Sequence, residues 1–184
     1  LIAEPNPKMS LGINVAFSPD GKTLAAGGER VRIFDLGTGN AIRTLEINEE
    51  SRPVPELPVG FSRDGKIIAT GGRFIKLWDA ATGRQIRALS GGDARTIAFH
   101  PSGKSLASCD LASVKIWDLS TGEIIREIEG PKVGVDTVAF SADGETVALG
   151  NGDHSITLVE TATGREVRIL KGHTNAVTSL ALNA

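Results

Sequence analysis

Phe17-Ser18-Pro19-Asp20-Gly21 returns three times along the chain, as Phe61-Ser62-Arg63-Asp64-Gly65, Phe99-His100-Pro101-Ser102-Gly103 and Phe140-Ser141-Ala142-Asp143-Gly144. The copies lie about forty residues apart, a period that specifies a repeat architecture. A second signature follows each copy in the same order: Phe34-Asp35, Trp78-Asp79, Trp117-Asp118 and Val159-Glu160, then Thr38-Gly39, Thr82-Gly83, Thr121-Gly122 and Thr163-Gly164. Two turn signals at matched places in every unit exclude chance similarity of a single loop.

Between the turns lie short apolar runs, among them Val31-Arg32-Ile33-Phe34, Ile75-Lys76-Leu77-Trp78 and Val114-Lys115-Ile116-Trp117. They alternate with period two, as half-buried strands require. Each unit therefore reads as four strands, a to d. Strand a ends at the repeated phenylalanine. The Asp-Gly or Ser-Gly pair then turns the chain, since glycine enters the positive-φ conformations of tight hairpins. Strand b is small and apolar, as in Leu106-Ala107-Ser108, and strand c ends in the aromatic-acidic pair. Strand d follows Thr-Gly, as in Ile42-Arg43-Thr44-Leu45 and Ile86-Arg87-Ala88-Leu89. No stretch combines helical periodicity with caps at both ends, so the fold class is all-β.

Ser-Pro-Asp-Gly after strand a, Trp-Asp closing strand c, Thr-Gly opening strand d and Gly172-His173 at the last boundary resemble the WD-repeat β-propeller family. The resemblance covers nearly the whole chain and implies one four-stranded antiparallel blade per repeat, arranged radially with strand a innermost. It places blades at 13–47, 57–90, 95–129 and 135–171, followed by a truncated fifth repeat at 177–184 in which Leu182 stands in the Phe17 position. Both ends are out of step with the repeat, so the chain 1–184 reads as part of a larger propeller of roughly 7–8 blades. Each open blade face would show roughly 500 Å² of apolar surface. Self-association through such faces is therefore expected, unless the four blades close on themselves.

The resemblance also implies a structural hydrogen-bond tetrad linking a His in the d–a loop, a Ser or Thr on strand b, an Asp in the b–c loop and the Trp on strand c. Blade two offers Thr70 and Trp78, and blade three offers Ser108 and Trp117 with Asp110 one residue out of register. Blade four offers only Asp153, and His173 falls to the fifth unit. Ala26 and Leu149 stand at the Ser position of blades one and four, so apolar packing is expected to replace the polar bonds there.

Composition narrows the function by exclusion. The net charge is −2 with both signs interspersed, which lacks the broad positive field that nucleic-acid binding uses. No apolar run approaches the ~18–20 residues of a membrane-spanning helix. The single cysteine, Cys109, permits no internal disulfide and reads as a buried thiol. His100, His154 and His173 lie in different units, with no metal-ligand spacing to one another or to Cys109, so no metal and no cofactor is expected. His100 reads as a solvated turn residue. The inner strands carry Val15, Ala16, Ile97, Ala98, Val138 and Ala139 instead of convergent acids, and no nucleophile elbow or phosphate loop occurs. This segment is not expected to be an enzyme.

Function then falls to the loops. The a–b and c–d turns share one rim and repeat, so folding explains them. The d–a and b–c loops share the other and vary: Glu29 and Arg30, Arg73 and Phe74, Asp93 and Arg95, Lys132, then Asp153 and His154. Arginine and aromatic residues on a rigid scaffold suit recognition, so these residues are expected to bind a protein or peptide partner. The proline- and glutamate-bearing stretch 47–58 reads as a tolerated insertion more readily than as a recognition strand. The main expectation is a non-catalytic, cytoplasmic interaction scaffold. The alternative is the regulatory or sensor region of a larger enzyme, since bacterial proteins resembling this family often join such repeats to a Ser/Thr kinase or protease domain.

Overall fold

The computed structural model describes residues 14–28, 30–47, 57–91, 93–110 and 112–181. Sixteen strands are described, in four antiparallel sheets of four. The first sheet holds β1 (Asn14–Phe17), β2 (Thr23–Gly27), β3 (Val31–Asp35) and β4 (Ala41–Leu45). The second holds β5 (Val59–Phe61), β6 (Ile67–Thr70), β7 (Ile75–Asp79) and β8 (Gln85–Leu89). The third holds β9 (Thr96–Phe99), β10 (Ser105–Cys109), β11 (Ser113–Asp118) and β12 (Ile124–Glu129). The fourth holds β13 (Val135–Phe140), β14 (Thr146–Asn151), β15 (Ile156–Glu160) and β16 (Glu166–Leu170). Sheet order equals chain order in all four, as expected when hairpin turns make every connection within a blade. The architecture is that of propeller blades.

Register repeats with the sequence. Phe17, Phe61, Phe99 and Phe140 pair with Leu24, Ile68, Leu106 and Val147 on the neighbouring strand. Every c–d pair carries a bulge beside the strand-c aromatic or its substitute, at Phe34, Trp78, Trp117 and Val159. The extra residue opposite it is Ile42, Ile86, Ile125 or Val167, and all four side chains point outward and are exposed. A bulge re-aims the strand locally, which is why the apparently regular apolar residue of strand d does not join the core.

The core sits between sheets. β1, β5, β9 and β13 pack side by side in that order, and each junction encloses one apolar cluster. At the first, Ala25, Val31, Ile33 and Leu45 meet Val59, Ile68 and Trp78. At the second, Ala69, Ile75, Leu77 and Leu89 meet Leu106 and Trp117. At the third, Ala107, Val114, Ile116 and Ile128 meet Val138, Phe140, Val147 and Val159. No comparable packing joins β13 back to β1 among the described residues, so the sheets form an open series rather than a four-blade ring.

Polar ties reinforce each junction. Arg43, Arg87 and Arg126, one per strand d, reach forward to backbone carbonyls of the next blade's c–d turn. Arg43 Nη1 donates to Ala80 O at 2.9 Å, Arg87 donates to Thr121 O and Ser120 O at 2.6 and 3.0 Å, and Arg126 Nη1 donates to Thr163 O at 3.0 Å. The arginine stems lie over Gly83, Gly122 and Gly164, where a Cβ would meet them at 2.3, 2.9 and 3.4 Å.

Two expectations need correction. Residues 177–181 form no strand, so the first strand of a fifth repeat is not seen there. A strand a is held by a ladder to its own strand b, and these residues have only one long bond, from Val177 N–H to Asn151 O at 3.5 Å. His100 is not a merely solvated turn residue. Its Nε2 lies 3.1 Å from Gly144 O in the next blade, and its ring meets Phe140 edge-on at 5.0 Å. In keeping with its one-residue offset from the tetrad position, Asp110 does not join Ser108 and Trp117. It accepts from the Ala112 and Ser113 N–H groups at 2.7 and 2.8 Å and pairs with Lys115 at 3.1 Å, closing the b–c turn.

Candidate functional site

The two rims differ in how their geometry is fixed. On the turn rim, local side-chain bonds repeat from blade to blade. Ser18, Ser62 and Ser141 donate to Asp20, Asp64 and Asp143 at 2.6, 2.6 and 2.5 Å, and the same carboxylates accept a backbone N–H two residues on. In the c–d turns Asp35 and Asp79 accept from the backbone and hydroxyl of Thr38 and Thr82, and Asp118 from Ser120 and Thr121. Glu160 accepts from Thr163 in the same way. These bonds stabilise the charged form, so hydroxyl donors hold Asp20, Asp35, Asp64, Asp79, Asp118 and Asp143 below the usual carboxylate range. Their work is turn closure, which leaves few free groups for a ligand. A shallow groove of about 490 Å³ between the first two blades opens on this side, lined by Asp20, Ile42, Arg43, Asp64 and Ala80. It is the space over which the Arg43 tie passes.

On the opposite rim, loops bond to loops. Gly72 and Ala94 exchange two backbone hydrogen bonds, Gly72 N–H to Ala94 O at 3.1 Å and Ala94 N–H to Gly72 O at 2.7 Å. This bridge ties the b–c loop of blade two to the segment entering blade three, and so sets Arg73 and Phe74 beside Asp93 and Arg95. The Arg73 guanidinium carbon lies 5.6 Å from the centre of the Phe74 ring, a cation–π distance. Arg95 extends further and meets Asp136 of blade four at 3.7 Å. A second loop bond, Gly152 N–H to Gly134 O at 3.1 Å, joins the segment containing Lys132 to the one containing Asp153 and His154.

The last of these segments is unusual in its backbone. His154 has φ +71°, a left-handed conformation that favours glycine. It is held there by its own N–H bond to Asn151 O at 3.2 Å and by Asp153, which accepts from the backbone and hydroxyl of Ser155. Those donors also keep the Asp153 carboxyl below its ordinary range. Beneath it Asn151, buried, donates to Ser155 Oγ at 3.0 Å and Thr157 Oγ1 at 2.9 Å. This cluster replaces the Ser–Trp bond of blades two and three, where Trp78 donates to Thr70 at 3.0 Å and Trp117 to Ser108 at 2.9 Å.

Of the nine rim residues expected to bind a partner, Arg30, Arg73, Phe74, Asp93, Arg95, Lys132, Asp153 and His154 are described and exposed, and Glu29 lies outside the described residues. Arg73, Phe74, Asp93 and Arg95 are brought together; so are Lys132, Asp153 and His154. Arg30 is linked to neither group by a hydrogen bond or ion pair. Sequence reasoning missed Asp136, the carboxylate on Arg95, and Val133, an exposed apolar side chain next to Lys132. The insertion at 48–56 also lies outside the described residues. Among the described residues no group of His, Cys, Asp and Glu could hold a metal ion, and no helix is long and apolar enough to cross a membrane. The Cys109 thiol is buried against Val135 O at 3.5 Å, and burial pushes its pKa up to about 12.

Residues 83–118 match the family model described as WD domain, G-beta repeat. That stretch is a WD repeat. The matched stretch begins at the Thr-Gly turn of blade two and ends at the Trp-Asp of blade three, so it contains β8 and then β9 to β11. One sequence repeat of the WD pattern thus spans a junction: it carries Leu89 of the second blade with Leu106 and Trp117 of the third, while Ala69, Ile75 and Leu77 of the same cluster precede it. No curated protein matches the chain. WD repeats generally form non-catalytic scaffolds for protein–protein interaction.

Proposed function

We propose that this chain is a non-catalytic scaffold that binds a protein or peptide segment on the rim formed by the d–a and b–c loops. The observation that carries this reading is the two-bond Gly72–Ala94 bridge, which holds Arg73, Phe74, Asp93 and Arg95 as one exposed group. Loops already fixed by backbone bonds lose little further entropy on binding. A cation stacked on an aromatic ring beside a carboxylate offers apolar contact and both signs of charge in a small area. Lys132, Val133, Asp153 and His154 extend the surface toward blade four. The turn rim lacks this character, because its carboxylates are already occupied by their own turns. The non-catalytic reading rests on the apolar inner strands and on an inert Cys109.

The test is selection of peptide binders from a displayed random library against the chain, followed by affinity measurement with variants. Phe74→Ala and Arg95→Glu are expected to weaken selected binders on the order of tenfold or more, and Lys66→Glu and Lys104→Glu on the turn rim to leave them unchanged. Binders lost with the turn-rim variants and kept with the loop-rim variants would overturn the assignment.

A further inference from the structure

On the turn rim, the cleft between neighbouring blades is filled differently at each junction. Between blades three and four it holds His100, which stands where the other three a–b turns have serine. Ser102 N–H donates to His100 Nδ1 at 3.0 Å, so the ring proton sits on Nε2 and is donated to Gly144 O at 3.1 Å. The imidazole meets Phe140 edge-on, and Phe140 is buried. Between blades two and three, Leu119 opens the c–d turn of blade three and packs on the second apolar cluster.

Between blades one and two both positions are small. Ser18 stands in place of the imidazole and Ala80 in place of the leucine. Phe61, the counterpart of Phe140, is left half-buried. Among the described residues nothing donates to Gly65 O, the counterpart of Gly144 O. The result is the groove of about 490 Å³, a volume within the range of ligand sites. Its apolar lining comes from Pro19, Ile33, Phe61 and Ala80, and it continues outward over Ile42, which is exposed at its bulge.

Charge adds to shape. Asp20 and Asp64 line the groove, and their turn bonds hold both carboxylates ionised. Those bonds use only Oδ1, and Asp64 Oδ2 meets Lys66 no closer than 4.0 Å. Arg43, the one cation lining the groove among the described residues, already donates to Ala80 O. Two carboxylates and a free carbonyl suit a ligand that donates N–H and tolerates positive charge. Residues 1–13 and 48–56, outside the described set, join blade one before Asn14 and beyond Leu45, which lie at the loop-rim ends of their strands.

We propose that the groove between the first two blades binds a histidine side chain presented by a peptide segment of a partner protein, with the imidazole edge-on to Phe61, its N–H on Gly65 O and an apolar neighbouring residue on Ile42. The third junction is the template, since the same register positions there already hold an imidazole, supplied by the chain itself. Gly65 and Gly144 share one backbone conformation, with φ +71° and +77°, so their carbonyls are offered alike. The surface over Ile42 extends beyond the space a single ring fills, which favours a peptide as the source. The groove lies on the rim opposite Arg73 and Phe74, so the inference does not depend on the loop-rim reading.

Amide chemical-shift mapping on the full chain, with the capped dipeptide acetyl-histidyl-leucinamide as probe, tests it. Saturable shifts are expected at Phe61, Gly65 and Ala80, with a dissociation constant on the order of millimolar. Acetyl-alanyl-leucinamide is expected to bind on the order of tenfold more weakly or less tightly still. Two variants plug the groove with residues of blade three. Ser18→His with Asp20→Ser reproduces its a–b turn, and Ala80→Leu reproduces its c–d residue. Each is expected to weaken the probe on the order of tenfold or more with unchanged circular dichroism, and Asp20→Ser alone to weaken it less than the double variant. Conversely, His100→Ser is expected to open the matching cleft and add probe-dependent shifts at Phe140 and Gly144. Phe74→Ala and Arg95→Glu, on the loop rim, should leave probe binding unchanged. No saturable shift at Gly65, equal binding of the alanyl dipeptide, full binding by both plugged variants, or no new shift at Gly144 in folded His100→Ser would each overturn the histidine site. Free imidazole binding as tightly as the dipeptide would overturn the peptide source.

Discussion

Trp117 illustrates how one residue serves both packing and polarity. Its ring fills the second junction and its indole N–H reaches Ser108 Oγ at 2.9 Å. Trp117→Ala is expected to destabilise the protein by about 3–5 kcal/mol in denaturant titration, the usual range for emptying a buried aromatic site. Ser108→Ala is expected to cost about 1–3 kcal/mol, because the indole N–H is then buried without an acceptor. A loss below about 1 kcal/mol for Trp117→Ala would remove the buried strand-c role. Cys109 is expected to resist thiol reagents at pH 8 until the protein unfolds, since its thiol is buried and its pKa raised to about 12. The aspartates of the turn rim give a pH dependence. Their folded pKa values lie below the unfolded ones, so their contribution is complete above the unfolded value and is lost as pH falls through the folded one. Melting temperature should be level from pH 7 to 5 and fall below about pH 4. The fall should be shallower in Asp79→Asn and Asp118→Asn, and equal slopes in wild type and variants would contradict the turn-closing role.

At the scale of the element, the sequence displays the hairpins and hides the junctions. Asp-Gly and Thr-Gly turns, the strand-c alternation and the Phe register are all local patterns, and the strands lie where those patterns put them. What crosses between blades is not local. Arg43 and Ala80 are bonded across two sheets, and nothing in Ile-Arg-Thr-Leu announces that the arginine points forward to a carbonyl rather than out to water. His100 was legible only as an odd residue in a Ser position. Its role needs Gly144, whose Cβ would stand 2.2 Å from the imidazole and whose φ of +77° suits glycine for a separate reason. The loop rim was legible as variable residues at matched loop positions, but the pairing of Gly72 with Ala94, which decides which of them stand together, was not. Arg126→Ala is expected to destabilise by about 0.5–1.5 kcal/mol, the net value of an ordinary hydrogen bond. His100→Ala is expected to lower the third junction's stability by a similar amount, read by denaturant titration of the full chain. Neither should change the number of strands seen by circular dichroism.

Over the whole molecule, stability should behave as a row of blades in which each contacts only its neighbours. Among the described residues the middle blades are packed on both faces and the outer two chiefly on one, so opening should begin at the ends. The same open series explains why Phe17 of blade one and Leu170 of blade four are exposed, although Val177 lies against Gly150 at the end of blade four. Hydrogen exchange resolved by strand, at a concentration where light scattering shows only monomer, is the most direct measurement of this arrangement. The account predicts slowest exchange in β6, β7, β10 and β11, and faster exchange in β1–β3 and in β15 and β16. Equal protection of β1–β3 and β10–β11 in the monomer would show that the first blade is covered as fully as the third, and would contradict the open radial series of blades.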